Sequence, residues 1–136
     1  MAVQLIRADR LWGGVPYAYA TVGAPGAPVF TAGACPLDAD GAVVGEGDIG
    51  LQAARVMDNL TESLAAAGAK LTDVLKTTVY VASSDRSDLT AAWEVVRAAF
   101  GEHDAPSTLL GVTTLGYPGQ LVEVEAVAML GGAERA

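Results

Sequence analysis

The side chains best equipped for chemistry in this sequence are a pair of carboxylates, one thiol, one imidazole, one amine within a β-type run and a few hydroxyls and aromatic rings. Glu123 and Glu125 stand two apart in the run Leu121-Val122-Glu123-Val124-Glu125-Ala126-Val127-Ala128. In a strand, both would leave the same face with Cα atoms roughly 6.5 to 7 Å apart. Such a pair suits acid–base work on water, although the pattern alone is read more simply as the solvated face of a half-buried strand. Cys35 alternates onto a face with Val29, Thr31 and Gly33, where it reads as a small buried hydrophobe unless that face opens on a cleft. His103, in a Gly-Glu-His-Asp segment, reads as a solvated loop residue. Lys76 would need burial to become a Schiff-base amine, and its sequence surroundings show none. Ser107 and Thr108 offer hydroxyls at a loop-to-strand junction, for a ligand or for local hydrogen bonds. No triad accompanies them.

Composition narrows the chemistry. One cysteine and one histidine, far apart in the chain, provide no structural metal set. A formal charge of -8, with Lys and Arg scattered, repels a phosphate backbone and disfavours nucleic acid as a ligand. No apolar run approaches the length of a membrane span, and no export signal is visible at Met1-Ala2-Val3-Gln4-Leu5, so a cytoplasmic protein is expected. With 136 residues, the chain fits a single domain over 1–136. A hydrophobic fraction of 51% and a mean hydropathy of +0.35 supply a core and leave apolar surface for a partner.

The elements that must position these groups can be read from periodicity. Residues 2–7, 17–22 and 29–35 are β-type runs, the last closed by Pro36 and the turn Asp38-Ala39-Asp40-Gly41. Asp48 caps a long amphipathic helix whose apolar face is Ile49, Ala53, Val56, Leu60, Leu64 and Ala67, stopping at Gly68. Residues 75–82 form a strand with Leu75, Thr77, Val79 and Val81 on one face. A second helix, capped by Ser87, carries Leu89, Trp93, Val96 and Phe100 as its apolar stripe, which makes Trp93 a core residue that is also free to touch a ligand. Two closing strands, 108–114 and 121–129, flank the turn Gly116-Tyr117-Pro118-Gly119, and a short tail frays after Leu130. The order β-β-β-α-β-α-β-β is an α+β fold. Its two helices can cover only one face of the sheet, so the other should close against further copies of the chain.

Four segments together resemble the RidA/YjgF family of reactive-intermediate deaminases. They are Ala32-Gly33-Ala34-Cys35-Pro36-Leu37-Asp38 with Gly47-Asp48-Ile49, the helix from Asp58-Asn59-Leu60 to Ala67-Gly68, the strand Asp73-Val74-Leu75-Lys76-Thr77-Thr78-Val79-Tyr80-Val81, and the closing 121–128 run. In the family's order they span about residues 14–130. The resemblance implies a chorismate-mutase-like fold, a homotrimer with a central barrel of sheets, and small-molecule clefts between subunits. It also implies hydrolysis of imines or enamines to carbonyl compounds and ammonia, without a cofactor or metal. By the same resemblance Glu123 holds or activates the attacking water, and Tyr17 (after Pro16) and Gly33 line the cleft. Ser107 stands where the family places an arginine that grips a substrate carboxylate, in a register set by Pro106 and Gly111-Val112, and no arginine occurs between Glu102 and Glu134. Trp93 replaces a usual asparagine, which makes the ligand environment more apolar.

The expected function is therefore a RidA-like hydrolase acting on an imine, enamine or related reactive metabolite without the arginine clamp. Glu123 is its catalytic residue, and Tyr17, Gly33, Cys35, Trp93, Ser107 and Thr108 contact substrate. The alternative is a non-catalytic member that binds a small ligand or another protein. Ribonuclease activity is disfavoured by the negative charge and the lack of a basic patch.

Overall fold

A computed structural model describes residues 3–7, 9–10, 13–14, 16–23 (backbone alone for 20–23) and 26–131. Residue 2 of the first expected strand and the last five residues of the expected frayed tail lie outside the described residues. The order of elements is the one the periodicity predicts. Strands β1 (Val3–Ile6) and β2 (Ala20–Gly23) form an antiparallel ribbon. The main sheet has the order β3-β6-β4-β5, from β3 (Pro28–Phe30), β6 (Val122–Met129), β4 (Val74–Val81) and β5 (Ser107–Gly111). All its pairings are antiparallel except β4 with β5, which are joined by a helical crossover.

Helix α1 (Ile49–Ala66) starts where Asp48 accepts the Leu51 N–H at 3.0 Å, and Gly68 follows it at φ 84°. Its buried face is Gln52, Ala53, Val56, Met57, Leu60 and Leu64. Helix α2 (Arg86–Phe100) is capped by Asp85, two residues before the expected Ser87. The Asp85 carboxylate accepts from both the backbone N–H and the hydroxyl of Ser87, at 2.9 and 2.8 Å. An ionised acceptor competes better for the free N–H groups than the hydroxyl does, so Ser87 falls inside the first turn.

Both helices lie on one face of the sheet, over Val74, Thr77, Val79, Val81, Val122, Val124, Ala126 and Ala128, all buried. Here the alternation inferred for β4 needs correction. The pairing shifts between Val74↔Ala128 and Lys76↔Val127, so Leu75 is an extra residue and Val74 takes the core place expected of it. The third strand is shorter than expected. After Phe30 the ladder is irregular, because the Thr31 hydroxyl accepts the Ala126 N–H at 3.0 Å, and pairing resumes only at the single bridge Ala34↔Val124. Strand β5 likewise ends at Gly111, followed by one bond from Val112 N–H to the Val81 carbonyl at 2.8 Å.

The other face of the sheet carries Phe30, Lys76, Thr78, Tyr80, Glu123, Glu125 and Val127, and Phe30 is 74% exposed. No helix among the described residues is long and apolar enough to cross a membrane.

Candidate functional site

Glu123 and Glu125 leave β6 on its open face, as their spacing predicts, and their surroundings then diverge. The Tyr80 hydroxyl donates to Oε1 of Glu125 in a short hydrogen bond, which raises the affinity of that phenol for its proton. Glu125 is thereby engaged within the sheet. Glu123 instead meets residues from the segment after β3 and from the turn before β6. Its Oε1 accepts from Gln120 Nε2 at 3.1 Å and from Cys35 Sγ at 3.3 Å. Its carboxylate lies against Gly33, where an added Cβ would fall 2.2 Å from Oε2. Glycine is required there for the space its missing side chain leaves.

Burial pushes the Cys35 thiol up to about 11, the hydrogen bond and negative charge of Glu123 push the same way, and Gln120 opposes them. A thiol so shifted is a proton donor to Glu123 and a poor nucleophile near neutral pH. The Cys35 backbone is fixed from α1, where Asn59 Nδ2 donates to the carbonyls of Cys35 and Leu37 at 2.8 and 2.9 Å.

A second group forms where β4 and β5 begin. Tyr17, Tyr19, Lys76, Ser107 and Thr108 line a cavity of about 350 Å³. Lys76 Nζ donates to Thr108 Oγ1 at 2.6 Å, and burial lowers the proton affinity of this amine. The Ser107 hydroxyl is paired with that of Thr77, on the side facing the helices. Tyr17 stands edge-on to Tyr19 and to Trp93, with ring centroids 6.0 and 6.4 Å apart, so Trp93 both packs on the core and borders this aromatic cluster.

The sequence-predicted residues thus fall into two groups within one protomer: Gly33, Cys35 and Glu123 in the first, and Tyr17, Trp93, Ser107 and Thr108 in the second. Across the open face, Thr108 aligns with Thr78 and Glu125, which puts it roughly 9 to 10 Å from β6 at the usual strand spacing. No group of three metal-ligating side chains converges among the described residues.

Comparison with known proteins gives the family. The family described as Endoribonuclease L-PSP matches residues 14–130. A RutC family protein of Pyrococcus abyssi is 37% identical over 100 residues, covering 74% of this chain and 76% of that one. The chain belongs to the RidA/YjgF/L-PSP family. Within that family it is 33% identical over 106 residues to the 2-iminobutanoate/2-iminopropanoate deaminase of Salmonella typhimurium, covering 76% of this chain and 80% of the deaminase. A Rid family protein of unknown function from Yersinia pestis, YyfB, shares the fold at a TM-score of 0.89 and 31% identity, over 96% of this chain and 100% of that one. The YjgF protein of E. coli does so at a TM-score of 0.65 and 29% identity, over 92% of each chain.

Two residues of this RidA/YjgF member were misjudged or missed from sequence. His103 is buried, with its Nε2 2.8 Å from the Val74 carbonyl, and is not the solvated loop residue its acidic neighbours suggest. Gln120, 4% exposed, is the closest donor to Glu123 and sits in a turn that sequence marks only as a turn. Its one signal is position, three residues before a candidate base.

Proposed function

We propose that this RidA/YjgF member hydrolyses a small imine or enamine, with Glu123 as general base for the attacking water. The observation that carries the reading is the Glu123 carboxylate, held on one oxygen by neutral donors, packed against a glycine whose missing side chain makes room for it, and open to solvent at the other oxygen. In the reaction, the imine enters in its protonated form, and Glu123 takes a proton from water as the water oxygen bonds to the imine carbon and the C=N electron pair moves to nitrogen. Glu123 returns that proton to the nitrogen, and the carbinolamine then collapses to a carbonyl compound and ammonia as its hydroxyl proton passes back to Glu123, which releases it to the departing ammonia. An enamine enters by protonation at carbon to the iminium form. The deaminase named for the Salmonella relative supports the reaction class.

In this reading the Glu123 group of one protomer and the Tyr17–Ser107 group of a neighbouring copy face a common cleft in a homotrimer, which unites the two groups that one chain keeps apart. By the family resemblance Ser107 takes the place of an arginine that grips a carboxylate, so in this reading carboxylate-bearing imines are poor substrates. Trp93, Tyr17 and Tyr19 favour a more apolar one. A second reading, a cleft that binds a small ligand without turning it over, is favoured by the Ser107 hydroxyl, which is already engaged by Thr77.

The test is ammonia release from imines of similar size generated in situ, the carboxylate-bearing ones by an amino-acid oxidase or a dehydratase and the carboxylate-free ones by an amine oxidase. Hydrolysis of a carboxylate-free imine that disappears in Glu123→Gln supports the proposal. Unchanged turnover in Glu123→Gln would refute it, and rapid pyruvate release from 2-aminoacrylate would refute the preference against carboxylate-bearing substrates.

A further inference from the structure

The two oxygens of the Glu123 carboxylate have unequal surroundings. Oε1 accepts two hydrogen bonds, from Gln120 and Cys35. Oε2 accepts none from the described residues, and no buried polar side-chain atom among them lacks a partner, so Oε2 reaches solvent beside Gly33.

The orientation of the Gln120 amide follows from its neighbours. Its nitrogen faces two acceptors, the Val122 carbonyl and Glu123 Oε1, both at 3.1 Å, while its oxygen faces the Tyr117 N–H at 3.2 Å. The flipped amide would set oxygen against two oxygens and NH₂ against an N–H. Both amide hydrogens are therefore committed, one of them to Glu123. The turn that carries Gln120 is held in turn by the wholly buried Gln52 of α1, which accepts from Leu121 N–H at 2.7 Å and donates to the Gly119 carbonyl at 2.9 Å.

Among the described residues, the titratable groups beside Glu123 are the Cys35 thiol, Glu125 two residues along the same strand face, and Tyr80 across the strand from Glu123, whose hydroxyl is taken by Glu125. No Lys or Arg among the described residues forms an ion pair with Glu123. A cationic partner would orient the carboxylate and also weaken it as a base, by stabilising its ionised form. An amide orients it at smaller electrostatic cost.

We propose that Gln120 is a positioning residue for Glu123: it occupies Oε1 so that Oε2, which packs on Gly33 and reaches solvent, alone receives the proton of the attacking water. The inference rests on the reading of Glu123 as the base, and it is tested in two independent ways. In Gln120→Met, which keeps the length of the side chain and removes its donor, kcat for imine hydrolysis should fall about tenfold, the effect of one hydrogen bond to a charged group, with KM unchanged. A crystal structure of the same variant should show the Glu123 carboxylate leaving its single position beside Gly33. Gln120→Asn, whose amide is a methylene too short to reach Oε1, should reproduce both results and serves if the Met variant does not fold. If the wild-type protein hydrolyses no imine, the proposed function fails and the crystal structures decide this inference alone. A carboxylate that stays in one place without the Gln120 donor overturns it, as does a loss confined to KM.

Discussion

At the scale of residues, the Glu123 neighbourhood makes Cys35 a built-in reporter. Because its thiol is raised from an ordinary 9.0 to about 11, the pH midpoint of its alkylation by iodoacetamide should lie near 11. In Glu123→Gln the midpoint should fall, yet remain above 9.0, because burial is the largest cause and persists. The linked effect on stability has a fixed sign. Between pH 9.0 and about 11 the unfolded chain releases this proton and the folded chain retains it, so the contribution of the thiol is whole below that window and is lost across it. Gly33→Ala separates chemistry from folding. Its Cβ would fall 2.2 to 2.8 Å from the carboxylate and Cγ of Glu123, with no backbone atom among the three nearest, so the side chain must turn away as a whole: the thermal midpoint should move by a few degrees, whereas imine hydrolysis should be lost with the displaced carboxylate. A variant that keeps its activity would place the working oxygen elsewhere. The spacing of Glu123 and Glu125 made their common face legible from sequence. Which of the two was spent on Tyr80 was not, because that depends on strand register across 45 residues of chain.

At the scale of elements, the helices were legible because their period is local, and the error at Ser87 reflects a choice between two neighbouring caps. The bulge at Leu75 was hidden because an inserted residue alters the alternation without leaving a mark in composition. That bulge belongs with His103. Strand β4 begins beside the loop after α2, and the imidazole meets the Val74 carbonyl at the irregular end of the ladder. His103→Leu leaves a buried carbonyl without this partner and should cost about 1 to 3 kcal/mol. Urea unfolding of the two proteins measures it, and a difference below about 0.5 kcal/mol would assign the carbonyl another partner.

At the scale of the whole molecule, the sheet has one face under two helices and one face open, with Phe30 largely exposed and Tyr80, Val127 and the two glutamates around it. This imbalance was legible from the count of helices against strands. Covering that face with copies of the chain predicts an assembly of about three times 13.8 kDa by light scattering. A monomer at working concentration would remove the shared cleft from the proposed function.

The position of β6 bears on when such a chain acquires its shape. This strand is the last of the described strands, yet it lies inside the sheet, between β3 and β4, and is the one that joins β3 to the rest. During synthesis, β3 emerges with no strand of the sheet to join, β4 can pair only with β5, and the face of α1 that packs on β6 lacks that cover. The sheet can close only once the chain through Met129 has left the ribosome. The edges and apolar faces that β6 covers must therefore wait, within reach of chaperones.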